Sequence, residues 1–254
     1  MQPEHDIPML GVDEESRYIS DFYAYLEQPE NETRYAPTLD WLSRRFGETR
    51  FSLLDVGCGH GQLRRFAPPT CDYVGIDHSV HAIDKCRGLF PDEEFHHLDV
   101  QEAIGLWGPE GRRFDAVVFA GMINHMVDKD TLETKSDRRI MSAYIERLSK
   151  PGGYLSLIVG VPYRSDPEYG FYPQAAWKHD KIGEATAGLP LDLAALTLTA
   201  QLGLEERIRQ QRQRPDWFIE RPEDATPNRH TGAYIGALTA LFRIRSATAT
   251  RLGD

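Results

Sequence analysis

Leu53-Leu54-Asp55-Val56-Gly57-Cys58-Gly59-His60-Gly61-Gln62 is an apolar run that ends in an acid and three alternate glycines. Phe51–Val56 has the composition of a strand and a helix is expected to begin near Gln62, so the glycines occupy a strand-to-helix turn. Without Cβ atoms such a turn can be tight, can bring backbone close to a ligand, and leaves the first N–H groups of the next helix free to meet it. A bare turn has the same composition, so the loop alone names no ligand. The dinucleotide fingerprint G-x-G-x-x-G needs glycine at 62, and Gln62 disfavours it.

Outward from the loop, short apolar runs alternate with helix-length stretches. Asp72–Ile76, Phe95–Leu98, Ala116–Phe119 and Tyr154–Val159 read as the second to fifth strands, and Tyr234–Ile244 as a long final one. This is the pattern of a parallel sheet buried on both faces. Pro151, Gly152 and Gly153 stop the helix before the fifth strand. Thr38–Phe46 reads as a helix, Tyr18–Leu26 has helical spacing, and Leu191–Leu202 is helical in composition. We expect one domain over 1–254: a helical cap at 1–48, a core at 49–160, a loop-rich segment at 161–190 and the last part of the sheet at 191–254.

Composition narrows the partners. The 254 residues, 41% hydrophobic, suffice for one sizeable core. Against 29 basic residues stand 39 acids, a net charge of −10, which argues against a nucleic-acid backbone and favours a small molecule. Three cysteines with no C-x-x-C pair suggest neither a disulfide framework nor structural zinc, and the expected compartment is a reducing cytoplasm. Nowhere do 18 apolar residues follow one another, and the first residues lack a signal-peptide pattern, so no membrane partner is expected. His96 and His97 are adjacent, which on a strand points them to opposite faces; no metal site is expected from them.

The arrangement D-x-G-x-G-x-G after Leu53-Leu54 resembles motif I of the class I S-adenosylmethionine-dependent methyltransferases, and further segments in the same order extend the resemblance over about residues 50 to 160. It implies a Rossmann-like α/β fold, a seven-stranded, mostly parallel sheet with helices on both faces, and S-adenosylmethionine as cofactor, released as S-adenosylhomocysteine. Asp55, Gly57, Cys58, Gly59 and Gly61 would line the methionine end. Asp77, twenty residues after Gly57, matches the acid that takes the ribose hydroxyls, a role suited to a carboxylate between two donors. His78 matches the position beside adenine, though an exposed loop histidine reads equally well. Asp99 and Val100 match the segment that reads adenine, and Asp99 is also a good N-cap for the next helix.

The exit of the fourth strand, Ala120 to Met126, resembles the family segment that faces the reacting methyl group. Ala120 would touch the cofactor, His125 is the first candidate for general base, with Asn124 beside it, and a helix-start histidine that merely packs is the rival reading. The segment lacks the Asn/Asp-Pro-Pro-Tyr/Phe pattern associated with nucleobase methylation. Past residue 160 the family diverges. Tyr163, Arg164, Tyr169, Trp177 and His179 fall in an aromatic, Pro- and Gly-containing stretch that reads as a substrate lid or, alternatively, as a docking surface for a second subunit. His179 is a further catalytic candidate; Tyr23 and His230 join the substrate-binding candidates by position. Arg207, Arg209, Arg212 and Arg214 fit a solvated face. The expected protein is a monomer or homodimer that methylates oxygen or nitrogen of a metabolite; a C-methyltransferase or a non-methylating cofactor binder is the alternative.

Overall fold

The structure is a computed structural model, and it describes residues 32–121, 135–162, 182–183, 185–200 and 234–246. Helices α1 (Glu32–Phe46), α2 (Gln62–Phe66), α3 (Val80–Leu89), α4 (Val100–Glu110) and α5 (Lys135–Arg147) accompany strands β1 (Phe51–Val56), β2 (Cys71–Asp77), β3 (Glu94–His97), β4 (Phe114–Ala120), β5 (Ser149–Pro162), β6 (Leu191–Ala200) and β7 (Tyr234–Ile244). The strands form one sheet in the order β3-β2-β1-β4-β5-β7-β6. Strands β1 to β5 pair in parallel, whereas β7 runs antiparallel to both β5 and β6. The strand order reverses at β1, which places the glycine loop at the switch point where ligands bind in open α/β sheets.

Alternation along the strands builds two apolar layers. Leu54, Val56, Val117, Phe119, Leu155 and Leu157 face Trp107 of α4 and Met141 and Tyr144 of α5. Leu53, Tyr73, Ala116, Val118, Tyr154 and Ile158 face Leu39 and Leu42 of α1, Leu63 of α2 and Ile83 of α3. The central strands are therefore apolar on both sides, as parallel strands sandwiched between helices must be. Helix α1 crosses one face from the carboxyl ends of the strands to their amino ends: Arg34 meets Gly121 just beyond β4, while Phe46 stacks on Phe51 at the start of β1 with ring centroids 4.6 Å apart.

One sequence expectation is overturned. The Leu- and Ala-rich stretch is not a helix; Leu191–Ala200 is strand β6, paired with β7 from Leu191 opposite Ile244 to Ala200 opposite Gly236, with a shift of register between Leu193 and Ala195. Leu and Ala favour helix locally, but an edge position on the sheet offers a full ladder of partners, and tertiary pairing outweighs a propensity of tenths of a kcal/mol per residue. Of the other strands, β1 and β7 have the expected bounds, β3 is shifted by one residue to Glu94–His97, and β2, β4 and β5 run longer, β5 most of all. The proposed helices before residue 32 lie outside the described residues.

Candidate functional site

The site begins with three glycines in left-handed backbone. Gly57, Gly59 and Gly61 have φ of 74°, 54° and 72°, a region that costs an L side chain roughly 1–2 kcal/mol. The loop is pinned at several points. Gly57 N–H and Cys58 N–H both donate to the Ile76 carbonyl at 2.9 Å, and Gly61 N–H donates to the Cys58 carbonyl at 2.9 Å. The Cys86 thiol of α3 reaches the Gly59 carbonyl at 3.1 Å from below. A Cβ on Gly61 would lie 2.8 Å from the Phe90 ring, so conformation and space both require glycine there.

Asp77, at the end of β2, is buried and bound to the loop: Oδ2 accepts from Gly59 N–H and Oδ1 from Ser79 N–H, each at 2.9 Å. An ionised carboxylate has about four acceptor sites, so two directions remain for hydroxyl donors. Beside it His78 is exposed, with Nδ1 3.4 Å from Asp77 Oδ1. Ser79 caps α3 through Ala82 N–H.

Asp55 was legible as the acid before the glycines, but its environment was not. It is 2% exposed on the central strand, Oδ2 accepts from the Tyr73 hydroxyl at 2.6 Å, and Oδ1 has no partner. Burial pushes its carboxyl up to about 7; the Tyr73 bond offsets part of that and the nearby Asp77 charge adds to it. Across the loop, Gln62 is buried with Nε2 likewise unpartnered. An orphaned buried polar atom costs about 1–3 kcal/mol, so a donor at Asp55 and an acceptor at Gln62 are what this end of the sheet lacks. Tyr73 could have been suspected from sequence, since it sits opposite Leu53 on the same face as Asp55, but only the register reveals it.

Asp99 does take the capping role. Its Oδ1 accepts from Gln101 N–H at 2.7 Å and Glu102 N–H at 2.8 Å, and Glu102 reaches back to Asp99 N–H, a reciprocal cap on α4. All described bonds fall on Oδ1. Val100 follows as the first residue of α4, and its carbonyl accepts from the Tyr144 hydroxyl at 3.0 Å. His96 and His97 diverge as expected: His96 Nε2 lies 2.6 Å from Glu94, and His97 Nε2 lies 2.8 Å from the His78 carbonyl.

The structure thus brings Asp55, Gly57, Cys58, Gly59, Gly61 and Asp77 together around one loop, with His78, Asp99, Val100 and Ala120 at the same carboxyl edge of the sheet. Tyr23, Asn124, His125, Tyr163, Arg164, Tyr169, Trp177, His179 and His230 lie outside the described residues. The sequence reading overlooked Arg34, which is 5% exposed and touches the end of β4. Its place in the first turn of α1 emerges only with the structure, because the sequence pattern starts that helix at Thr38.

Known proteins place this architecture. Residues 54–155 match the family described as a methyltransferase domain. No curated protein sequence matches the chain. Among solved structures, the N-methyltransferase NodS from Bradyrhizobium japonicum WM9 in complex with S-adenosyl-L-homocysteine superposes with a TM-score of 0.56 at 16% identity, over 90% of this chain and 95% of that one. The plantazolicin methyltransferase BpumL, in complex with a pentazolic desmethylPZN analog and S-adenosylhomocysteine, gives 0.53 at 16% identity over 92% of each chain. An S-adenosylmethionine-dependent methyltransferase from Methanosarcina mazei gives 0.54 at 14% identity, over 81% and 97%. At such identities the likeness is one of fold. Residues 54–155 therefore resemble a methyltransferase domain, and the chain shares the Rossmann-like α/β fold of S-adenosylmethionine-dependent methyltransferases.

Proposed function

We propose that this protein transfers the methyl group of S-adenosylmethionine to an oxygen or nitrogen of a small-molecule metabolite, working as a single domain. The observation that carries the reading is the left-handed glycine loop flanked by the orphaned Asp55 Oδ1. The cofactor has an ammonium to donate to that oxygen, vicinal ribose hydroxyls for the two open directions of Asp77, and an adenine amino group for Asp99. NodS, an N-methyltransferase, and BpumL, a plantazolicin methyltransferase seen with a desmethylPZN analog, share the fold and agree with this reading. The net charge of −10 agrees, since a nucleic-acid track needs clustered bases. Buried, unpaired Cys58, Cys71 and Cys86 suit a reducing cytoplasm.

When bound, the cofactor supplies a methyl group on a sulfonium, open to in-line displacement. The loop backbone, Asp55 and Asp77 would hold the donor so that its methyl group faces the exit of β4. Such orientation lowers a barrier by about 7–11 kcal/mol, and a base at His125, seconded by Asn124 or His179, would add roughly 10²–10⁴-fold where the acceptor must lose a proton. Tyr23, Tyr163, Arg164, Tyr169, Trp177 and His230 would wall the acceptor.

The test is turnover: purified protein with S-adenosylmethionine and a panel of phenols, amines, carboxylic acids and sugars, followed by S-adenosylhomocysteine formation. Product from at least one acceptor is expected. Cofactor binding with no product from any of them would turn the reading to a non-methylating binder. A loss below threefold in His125→Ala would remove it as the essential base.

A further inference from the structure

Tyr73 is a buried phenol that the methyl transfer itself does not use, yet it is bonded to the acid that opens the glycine loop. Strand β2 places it on the same sheet face as Asp55, and its hydroxyl donates to Asp55 Oδ2 at 2.6 Å. Both residues are 2% exposed. Burial first, then the nearby Asp55 charge, pushes the phenol well above its ordinary range, so it stays a donor at every working pH. The other carboxyl oxygen, Asp55 Oδ1, is buried without a partner.

Among the described residues, the ionisable groups that act on Asp55 are all of the kind that ionise to a negative charge. Besides Tyr73 they are Asp77 at the end of β2, Cys58 in the loop and Cys71 at the start of β2. The helices over this face contribute Leu39 and Leu42 of α1, Leu63 of α2, and Ile83 and Cys86 of α3 to the same layer. Two buried bases lie in this half, Arg34 against Gly121 beyond β4 and His60 within the loop. With Tyr73 on Oδ2, the proton of a neutral Asp55 belongs on Oδ1, where it finds no acceptor. An ionised Asp55 is instead a buried charge without a counter-charge, and burial raises the carboxyl to about 7. An ammonium meets both needs, because it donates to Oδ1 and neutralises the charge. Proton and ammonium therefore compete for one oxygen.

We propose that Tyr73 is a positioning residue for the ligand's ammonium: by holding Asp55 Oδ2 it reserves Oδ1 as a single acceptor, which gives up its proton to water when the ammonium arrives. This rests on the reading of the carboxyl edge as the cofactor side, the ammonium being that of the cofactor's amino-acid end. Binding is then coupled to release of one proton, a coupling that the nucleoside part does not share. Below about pH 7 affinity falls about tenfold per pH unit, and above it affinity is level. Phenylalanine at 73 removes the bond that favours the ionised form, so Asp55 holds its proton more firmly and the midpoint moves up.

The experiment is calorimetric titration of wild type, Tyr73→Phe and Asp55→Asn with S-adenosylhomocysteine and with methylthioadenosine, which keeps the nucleoside and thioether but has no amino acid. Runs from about pH 5.5 to 8, in buffers of different ionisation enthalpy, count the protons released. At about pH 6 wild type should release close to one proton more with S-adenosylhomocysteine than with methylthioadenosine. Tyr73→Phe should move the midpoint of the S-adenosylhomocysteine profile up by about one pH unit and leave methylthioadenosine affinity within about twofold of wild type. Asp55→Asn should abolish the difference in proton count between the two ligands, which separates Asp55 from His60. Equal counts for the two ligands in wild type, an unmoved midpoint in Tyr73→Phe, or an extra proton that persists in Asp55→Asn would each overturn the proposal while leaving the cofactor reading intact. Should Tyr73→Phe not fold, the counts for wild type and Asp55→Asn decide. Wild type that binds neither nucleoside at any pH would overturn the cofactor reading, and the proposal with it.

Discussion

The two ends of the sheet are both polar, and they differ in what they leave unfinished. At the amino ends of the strands a basin of about 400 Å³ is lined by Arg50, Arg64, Arg112, Asp72, Glu93 and Glu94. Six of its eight charged side chains pair with one another, Arg50 with Asp72, Arg64 with Glu93 at 2.6 Å, and Arg112 with Glu94 through a two-pronged contact at 2.7 and 2.6 Å, while Arg113 donates to the Glu146 and Ser149 carbonyls. Close by, Asp115 receives Ser52 N–H, the Ser52 hydroxyl and Lys150, each at 2.8 Å. At the carboxyl ends the reverse holds. Every buried side-chain atom without a partner among the described residues, on Arg34, Asp55, Gln62 and Thr239, lies in that half, Thr239 standing opposite Ile158. The basin offers space, but most of the charges around it are already met. Unmet hydrogen bonds and left-handed glycines pick the other end, because a fold tolerates such costs where a ligand repays them.

The contrast breaks first on pH. Asp55 is raised to about 7 in the folded protein against an ordinary value of 3.8, so the stability it contributes is full below about pH 4 and is lost as pH rises through 7. The loss amounts to about 4 kcal/mol, and the difference in unfolding free energy between wild type and Asp55→Asn, measured without cofactor from pH 4 to 8, should follow it. A flat difference would mean Asp55 is not buried as described. Glu94, at the other end, has the opposite sign. The Arg112 bond, against the cost of burial, holds it at about 2, so its stabilisation is present above about 4.5 and fades as pH falls toward 2.

Smaller effects sharpen the comparison. Gly61→Ala should cost about 2 kcal/mol, from left-handed backbone and the Phe90 contact, and should weaken S-adenosylhomocysteine binding by at least tenfold in calorimetric titration. Asp99→Ala, which removes both cap bonds, should lower unfolding free energy by about 1 kcal/mol in denaturant titration. Glu94→Gln should cost below about 1 kcal/mol at pH 7, since the pair is partly exposed, and should leave cofactor affinity unchanged.

Much of this was legible before the structure, and the reason is locality. The loop glycines, Asp55, Asp77 and Asp99 lie within strand ends or turns whose composition dictates their conformation, so the chain alone places them on one edge. What escaped depends on partners far along the chain. Leu191–Ala200 became a strand because Tyr234–Ile244 pairs with it. Tyr73 serves Asp55 only through the β1–β2 register, and Arg34 meets Gly121 only because α1 crosses the sheet face. Periodicity carries no record of such encounters.

The central claim is that the carboxyl edge holds the cofactor, and paired titrations with S-adenosylhomocysteine address it most directly. Wild type should bind, Asp77→Ala should bind at least tenfold more weakly, and Glu94→Gln should match wild type. Equal affinity in wild type and Asp77→Ala, or a loss confined to Glu94→Gln, would contradict the assignment of the ligand to this end of the sheet.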